Sequence, residues 1–314
     1  MTALTSNTAH SLAQLLHIKP PAPPHDFAAF WQARYQQALT VQPHPRLSHS
    51  GTHRAFEIYD LHYTSTNAFN IGGWLLIPRH TPVTRGAVIG HGYGGRDAPD
   101  VNLPLPSGTA CLFPCFRGLS RSQRPPISNQ PHYHVLHDLD KKDQYILGGC
   151  VEDLWLAVSA LLSLYPATQQ HLAYLGMSFG GGIGALALPW DSRIQRAHFN
   201  VPTFGHHPLR MTQPTWGSAA AIQTFHRQHP QLHVLDTLAY YDAAIAAQFI
   251  RVPTHIAAAL VDPIVTPFGQ FAIYNALTST KQLFLLEQGH ADYPHRAAQE
   301  VALWLELQEF FAPL

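Results

Sequence analysis

A serine flanked by glycines is the residue of this sequence that is best placed for nucleophilic chemistry. It stands in Gly176-Met177-Ser178-Phe179-Gly180, between the apolar run LAYLG and the small-residue segment GGGIGALAL. A nucleophile on a tight strand-to-helix turn needs glycine two residues before and two after it, because the strained backbone leaves no room for side chains. The pattern predicts that Ser178 projects above a sheet and that the N–H of Phe179 helps to hold an oxyanion. Taken alone the pattern is weak, since a glycine-rich packing turn has the same letters.

A second glycine-rich segment follows an earlier apolar run. After GAVIG the sequence reads His91-Gly92-Tyr93-Gly94-Gly95. Glycines in a loop of this kind let the backbone approach a substrate closely. We predict that the N–H of Tyr93 is the other oxyanion donor and that its side chain lies near the acyl group. The alternative is that these glycines only form a tight turn.

The candidate acid and base follow late apolar runs. Asp262 closes THIAAALVD, so we expect it at the carboxyl tip of a strand, where open α/β sheets place their ligands; an Asp before Pro also starts turns. His290 follows LFLLEQG and can reach the same edge from a loop. The chain order serine, aspartate, histidine is that of an α/β-hydrolase triad. Asp236 and Asp242 lie in helix-like sequence, and His295 is the weaker alternative as base.

These three residue types predict hydrolysis of a carboxyl ester. Neutral His290 would take the hydroxyl proton of Ser178 as the oxygen attacks an ester carbonyl, while Asp262 fixes the imidazole tautomer. Water activated by His290 would then release the acid from an acyl-enzyme. We therefore expect a serine carboxyl-ester hydrolase whose rate falls in acid, since protonated His290 cannot accept the proton.

Metal catalysis is the competing interpretation, because the chain has 22 histidines. The candidate clusters are His206-His207 and the set His132, His134 and His137. Neither shows HExxH or a carboxylate at fixed helical spacing, and both lie in loop-like sequence. We therefore expect no metal site.

The composition bounds the class of protein and its partners. Of 314 residues 46% are hydrophobic and 12% charged, which is enough apolar sequence for a large core. Nineteen basic residues balance nineteen acidic ones, and no basic block interleaves with aromatic residues. This argues against a nucleic-acid partner or an anionic membrane and favours a small or neutral ligand.

Cysteine content and apolar runs suggest a location. The three cysteines, Cys111, Cys115 and Cys150, form no CxxC pair and are odd in number, which fits a reducing compartment. The N-terminus lacks the features of a signal peptide, and we expect no run that approaches the length needed to span a bilayer. We expect a cytoplasmic protein.

The first elements are predicted to be a helix and an antiparallel pair of strands. The segment DFAAFWQARYQQAL predicts a helix with Asp26 positioned to cap it. The residues on its apolar face are Phe27, Phe30, Trp31, Tyr35 and Ala38. Residues 54–64 alternate like a half-buried strand, and GGWLLIP follows after a polar loop. We expect this pair to form the edge of the sheet.

The rest of the chain predicts a mostly parallel, doubly wound sheet. Short continuous apolar runs, typical of strands buried on both faces, alternate with helical segments: GAVIGH, TACLFPC, LAYLGMS, RAHFNV, THIAAALVD and KQLFLLEQ. We expect a single α/β-hydrolase domain over residues 1–314, with an N-terminal extension over 1–50. Residues 119–147 and 203–240 interrupt the alternation and are predicted to cover the active-site mouth.

The motifs together resemble those of the acetylxylan esterase and cephalosporin-C deacetylase family over almost the whole length. DFAAFW is similar to the family's DFxxFW, HGYGGR to HGYNGGR, CFRGLSRS to DxRGQGxS, GMSFGGG to GxSQGGG and NVPTFGHH to DVPFLCHF. The resemblance continues through the segment that ends with Asp262 and the helix after it. Such a colinear set is far more specific than any one motif.

The resemblance implies deacetylation of short acyl esters of sugars or of cephalosporin-like alcohols, with the triad at Ser178, Asp262 and His290. It also implies an oxyanion hole from the backbone of Tyr93 and Phe179, and no cofactor. A ring-shaped homo-oligomer that narrows access to the site is implied as well. Tyr93 and Arg117 are its candidate substrate-binding residues.

Three positions depart from the family pattern. The family's RGQG is here RGLS, with Leu119 in place of the amide. Phe179 replaces a glutamine, which keeps the backbone donor and would make the pocket wall more apolar. The family's His-Glu pair becomes His290-Ala291, with Asp292 one place later as a possible substitute.

Two further interpretations stay open from the sequence. A broader carboxylesterase, or a relative of the α/β serine peptidases, would share the same fold and triad. A non-catalytic binding protein could also have kept the fold, because fold alone does not establish function.

Overall fold

Nine strands form one mixed sheet in the computed structural model, which describes residues 11–314. The order across the sheet is β1-β2-β3-β5-β4-β6-β7-β8-β9. The strands are β1 Arg46–Thr52, β2 Phe56–Ser65, β3 Phe69–Pro78, β4 Arg85–Gly90, β5 Thr109–Pro114, β6 Leu172–Met177, β7 Arg196–Asn200, β8 Thr254–Val261 and β9 Lys281–Gln288.

The pairing directions place several carboxyl ends at one edge. β1, β2, β3 and β5 pair antiparallel in that order. β5, β4, β6, β7, β8 and β9 pair parallel. Every loop that follows β4, β6, β7, β8 or β9 therefore leaves the sheet at the same edge. This is the geometry that brings distant side chains together.

Helices cover both faces of the sheet, and the predicted fold class is confirmed. The α-helices are α1 Leu12–Leu16, α2 Phe27–Leu39, α3 Pro131–His134, α4 Ile146–Leu164, α5 Phe179–Ala187, α6 His207–Arg210, α7 Gly217–Gln228, α8 Val234–Tyr240, α9 Ala243–Ala247, α10 Pro267–Ala276 and α11 Arg296–Phe311. Single 3₁₀ turns occupy Thr66–Ala68, Ser120–Ser122, Pro166–Thr168 and Pro230–Leu232.

The parallel strands are apolar without interruption because each strand contributes to two cores. In β8, Ile256 and Ala258 join the core that contains α4 and α5, whereas Ala257 and Ala259 join the core under α11. Side chains alternate between the faces of a strand, so both sets must be apolar. The sequence pattern of continuous apolar runs follows directly.

The edge of the sheet is β1, not the predicted pair of β2 and β3. Six of the seven residues of Arg46–Thr52 are exposed, and Gly51 is half-buried. A strand with both faces in solvent has no apolar alternation, so the sequence carries no signal for it. Only its pairing with β2 defines it.

The capping role expected of Asp26 is wrong. Helix α2 packs on the core with its predicted face, in which Phe30 and Tyr35 are half-buried and the other three residues are buried. Asp26, however, makes no side-chain cap bond. Its carboxylate instead accepts a hydrogen bond from the hydroxyl of Tyr240. The indole N–H of Trp31 donates to the Tyr240 carbonyl at 2.9 Å, so two contacts hold this helix to the 203–240 segment.

Helix α4 corrects the expectation that no run is long enough to cross a bilayer. Its 19 residues, Ile146–Leu164, are long and apolar enough by length and composition, and 83% of its most apolar window is buried within the protein. The helix lies between the sheet and α2, so most of its circumference is buried and apolar, apart from Glu152 and the Arg117 partner Asp153. Its composition is explained by the core.

Candidate active site

Ser178 lies on a strained turn between β6 and α5. Its backbone has φ 51° and ψ −105°, a conformation that a non-glycine residue adopts only when its surroundings require it. A Cβ at Gly176 would lie 2.5 Å from the carbonyl carbon of Gly180, and one at Gly180 would lie 2.7 Å from that of Gly90. These close approaches explain both glycines of the motif.

The hydroxyl of Ser178 contacts a histidine on the loop after β9, at the same edge of the sheet. Its Oγ lies 3.0 Å from Nε2 of His290. His290 is on the loop after β9, itself at φ 50°, and its side chain is 23% exposed. The sequence separation is 112 residues, and the parallel pairing of β6 through β9 makes the contact possible.

Asp262 holds the opposite side of the same imidazole. Its Oδ2 lies 2.8 Å from Nδ1 of His290, so this nitrogen carries the proton and Nε2 is the acceptor facing Ser178. The N–H groups of Ile264 and Val265 donate to Oδ1, each at 2.9 Å. With the carboxylate fully buried and fixed at both oxygens, the orientation of His290 is fixed as well.

Gln270 is a residue of this site that the sequence did not reveal. Its side-chain amide donates to Oδ2 of Asp262 at 3.1 Å and to the Val265 carbonyl at 2.6 Å. Its Oε1 accepts from the N–H of Ala259 at 2.8 Å. A polar residue on α10 gives no signal until the helix is packed against β8. The fully buried amide then braces the Asp262 loop.

The two predicted oxyanion donors belong to adjacent segments. Phe179 is the first residue of α5, where amides have no partner within the helix. Tyr93 follows the tip of β4, and the N–H of Gly180 donates to the His91 carbonyl at 2.9 Å, joining the two segments. The rings of Tyr93 and Phe179 pack with centroids 4.2 Å apart. Their backbones are thus coupled through their side chains.

His91 fastens the Tyr93 loop to the end of β5. Its Nε2 accepts from the N–H of Phe116 at 3.0 Å, and its Nδ1 donates to the Gly92 carbonyl at 2.7 Å. Both bonds require the neutral ring. Burial lowers the pKa of His91 to about 4, because the charged form loses its hydration. The sequence placed this residue in a motif without indicating its role.

Phe179 does not form the apolar pocket wall that the sequence suggested. Its side chain is fully buried among aromatic rings, including those of Phe116 and Phe204 at 5.6 and 5.8 Å. The residue starts α5, so its side chain turns into the core rather than toward the mouth. Its predicted contribution to the reaction is therefore limited to the backbone N–H.

The substrate-binding role predicted for Arg117 is also corrected. Its guanidinium is buried and binds Asp153 at 2.6 Å, with the hydroxyl of Thr66 at 2.9 Å. The N–H of Arg117 donates to the same carboxylate at 2.9 Å. A buried charge needs such a complete set of partners. Arg117 therefore fixes the segment after β5 to α4.

The alternatives to His290 and Asp262 lie elsewhere. His295 binds Glu287 at 2.9 Å on the exposed surface. Asp292 pairs with Arg296 at 2.9 Å and its side chain is 93% exposed. Asp242 caps α9 and receives the N–H groups of residues 206 and 207. Asp236 is in the first turn of α8.

The histidines considered as metal ligands have other partners. His134 is bound to Tyr93 and to the Arg117 carbonyl. His207 is bound to the Tyr241 carbonyl and lies 3.3 Å from a guanidinium nitrogen of Arg210. Within residues 11–314, no three His, Cys, Asp or Glu side chains form a group that could hold a metal ion.

The site opens at a mouth with apolar side chains. A cleft of about 500 Å³ is lined by His290, Tyr293 and Met177, among others. Met177 is 51% exposed directly before Ser178. Trp216 and Ile264 are 57% and 37% exposed, and the hydroxyl of Thr215 donates to the Ile264 carbonyl at 3.3 Å. The 203–240 segment therefore reaches the Asp262 loop.

This combination of sheet order, strand-turn-helix serine and loop-borne aspartate and histidine defines an α/β-hydrolase. The sequence model of the acetyl xylan esterase family (AXE1) matches residues 7–307. The chain belongs to this family and is a carboxylic-ester hydrolase.

Solved structures share the fold. The acetyl xylan esterase 1 of Thermoanaerobacterium sp. JW/SL YS485 is 20% identical with a TM-score of 0.81, over 95% of this chain and 99% of that one. The acetyl xylan esterase of Paenibacillus sp. R4 is 24% identical with a TM-score of 0.80, over 94% and 99%. A Pyrococcus horikoshii acylaminoacyl peptidase is 13% identical with a TM-score of 0.63, over 83% of this chain and 42% of that one.

Proposed function

We propose that this protein removes acetyl groups from O-acetylated sugars through an acyl-enzyme on Ser178. The observation that carries the proposal is the hydrogen-bonded chain from Ser178 Oγ to His290, at 3.0 Å, and on to Asp262, at 2.8 Å. Its occurrence in a member of the acetyl xylan esterase family supports a sugar acetate as substrate.

In the acylation half-reaction, His290 Nε2 removes the hydroxyl proton of Ser178 as Oγ forms a bond to the ester carbonyl carbon. The carbonyl oxygen becomes an oxyanion, which the N–H groups of Tyr93 and Phe179 stabilise. The intermediate collapses by breaking the bond to the sugar oxygen. That oxygen takes the proton from His290, the sugar leaves, and Ser178 keeps the acetyl group.

Deacylation repeats the sequence with water. His290 removes a proton from water while its oxygen attacks the acetyl carbonyl, and the same N–H groups hold the second oxyanion. Collapse breaks the bond to Ser178 Oγ, which recovers its proton from His290. Acetic acid leaves and ionises, and the resting state is restored. Asp262 stabilises the imidazolium in both halves.

The packing around Ser178 supports a short acyl group. Phe179 and Phe204 are fully buried, and their rings pack with centroids 5.8 Å apart. A long acyl chain would have to displace such packed rings, which costs free energy in a close-packed interior. The exposed apolar residues Met177, Trp216 and Ile264 lie at the open side, which suits the alcohol part of the substrate.

The proposal is tested by hydrolysis of 4-nitrophenyl esters from acetate to octanoate, with peracetylated xylose and cephalosporin C. Ser178→Ala is the control. We expect fast cleavage of the acetate, a steep fall for longer chains and release of acetate from the sugar. A preference for long chains would indicate a broader carboxylesterase. Absence of Ser178-dependent cleavage of any ester would contradict the proposal.

Assembly and location stay predictions. We infer a homo-oligomer from the family resemblance, and sedimentation velocity of the purified protein tests it: a single monomer peak at micromolar concentration would contradict it. The three cysteines are free and buried, which is compatible with the proposed cytoplasmic location.

A further inference from the structure

A histidine of the 119–147 segment contacts the loop that carries the proposed oxyanion donor. Nδ1 of His134 lies 3.0 Å from the hydroxyl of Tyr93, and Nε2 lies 2.9 Å from the Arg117 carbonyl. A carbonyl can only accept, so Nε2 carries the proton and Nδ1 is the acceptor. The hydroxyl of Tyr93 therefore donates to His134, and the tautomer is set by Arg117.

His134 is held in place by its surroundings. His134 is fully buried at the end of α3, and an added Cβ at Gly118 would lie 2.9 Å from its ring. Arg117, whose carbonyl it binds, is held by four hydrogen bonds from its N–H and guanidinium to Asp153. His134 is thus anchored to the core through groups that do not belong to the oxyanion loop.

Few other contacts hold Tyr93 as directly as its hydrogen bond to His134. Its neighbours in the loop are Gly92, Gly94 and Gly95, which have wide backbone freedom. The side chain is held by the hydroxyl bond to His134 and by ring packing on Phe179 at 4.2 Å. With the side chain fixed at its far end, rotation about the backbone of Tyr93 is restricted.

We propose that His134 is a positioning residue, which holds the N–H of Tyr93 aimed at the oxyanion through the hydroxyl of Tyr93. The inference rests on the proposed function, since it assigns a role within the same reaction. The role depends on a neutral ring. Burial lowers the pKa of His134 to about 4, so the bond persists through the pH range in which a histidine base is active.

Two substitutions remove the bond from opposite sides: Tyr93→Phe deletes the hydroxyl and keeps the ring, and His134→Phe deletes the acceptor. We expect kcat for 4-nitrophenyl acetate to fall about tenfold in each, less than the hundredfold or more for complete loss of a donor. KM should change less than twofold. The double variant should lose no more than either single one, because both remove the same bond.

A tetrahedral oxyanion mimic separates positioning from mere packing. Binding of a trifluoromethyl ketone analogue of the acetyl ester should weaken by the same factor as kcat. His134→Gln, which keeps a donor and an acceptor, should recover part of kcat. His132→Phe, on the exposed side of the same segment, is the matched control and should leave both constants unchanged. Thermal melts identify variants that fail to fold.

The outcomes distinguish the two proposals. If the wild-type enzyme shows no Ser178-dependent hydrolysis, the proposed function itself is wrong. If the wild-type enzyme is active and folded Tyr93→Phe has unchanged kcat and unchanged affinity for the ketone, His134 has no positioning role. Additive losses in the double variant would also overturn the inference, because independent effects cannot come from one shared bond. Tyr93→Phe alone decides the case should His134→Phe not fold.

Discussion

Two histidine-centred hydrogen-bond chains occur at opposite ends of β8. At the carboxyl end, His290 joins Ser178 to Asp262. At the amino end, Nδ1 of His255 lies 3.0 Å from Nδ1 of His198, and its Nε2 lies 3.1 Å from Glu306. Both chains end in a carboxylate, and both lie beside a cleft, of about 500 Å³ and about 810 Å³.

The difference between the ends shows what a hydrolytic site requires beyond a polarised histidine. At the amino end a second imidazole, His198, stands where the carboxyl end has a hydroxyl on a strained turn. Glu306 is 39% exposed, whereas Asp262 is fully buried and held by backbone N–H groups. The catalytic geometry comes from the turn at Ser178 and the fixed carboxylate, which only the carboxyl end supplies.

The largest effect should come from removing the nucleophile. Ser178→Ala should lower kcat by about 10⁴-fold or more, because the covalent step is lost. The melting temperature should change little, since the substitution removes one oxygen at a residue whose backbone bond to Asn200 is kept. Activity measured with 4-nitrophenyl acetate beside a thermal melt checks both. Retained turnover would place the nucleophile elsewhere.

The same chemical change at both ends gives the sharpest test of the comparison. Asp262→Asn should lower kcat by about 10³- to 10⁴-fold, because the amide no longer fixes the imidazole tautomer or stabilises the imidazolium. Glu306→Gln should leave kcat and KM unchanged and lower stability by less than about 1 kcal/mol, since the carboxylate is exposed. Comparable kinetic losses in the two variants would remove the distinction between the ends.

Acid should destabilise the fold through histidines that are buried neutral. Burial lowers the pKa of His91 and of His134 from 6.5 to about 4, and it lowers the pKa of His198 and His255 too. Between pH 6.5 and 4 the unfolded chain binds more protons, so the free energy of unfolding falls as pH falls. His91 and His134 would each contribute about 3 kcal/mol to that loss.

Denaturant unfolding at pH 4.5, 5.5, 6.5 and 7.5 measures this acid effect. His91 and His134 belong to the carboxyl edge, whereas His198 and His255 belong to the amino edge. Single replacements therefore show which edge produces the slope of the free energy of unfolding against pH. His91→Gln should flatten it while also slowing catalysis, and His255→Leu should flatten it without changing kcat. A free energy of unfolding that is constant from pH 7.5 to 4.5 would contradict the assignment.

The smallest expected effect comes from Trp216, at the open mouth of the active site. Trp216 presents a half-exposed indole beside the Asp262 loop, where a sugar ring can pack. Trp216→Ala should raise KM for acetylated xylo-oligosaccharides about two- to tenfold and leave 4-nitrophenyl acetate unaffected. An equal rise for both substrates would mean that Trp216 supports the site generally. The matched control is Leu235→Ala, because Leu235 is also an exposed apolar residue of the 203–240 segment.

Much of this molecule was determined by local requirements that the sequence displays. The turn at Ser178 leaves no room for a Cβ at position 176, against Gly180, or at position 180, against Gly90 of β4, so this requirement shows in the sequence as a glycine motif. Strands buried on both faces must be apolar throughout, and all six of the runs predicted as parallel strands are strands β4 to β9. Ser178, Asp262 and His290 then occur in the order of β6, β8 and β9, the strands whose carboxyl ends carry them.

The tertiary structure alone decided which side chains support these elements. Gln270 braces Asp262, His134 binds Tyr93, and Arg117 binds Asp153 rather than facing a substrate. Strand β1 also exists only through its pairing with β2. Hydrogen bonds and ion pairs between distant segments depend on the packing of the whole chain, so they leave no periodic or local pattern in the sequence.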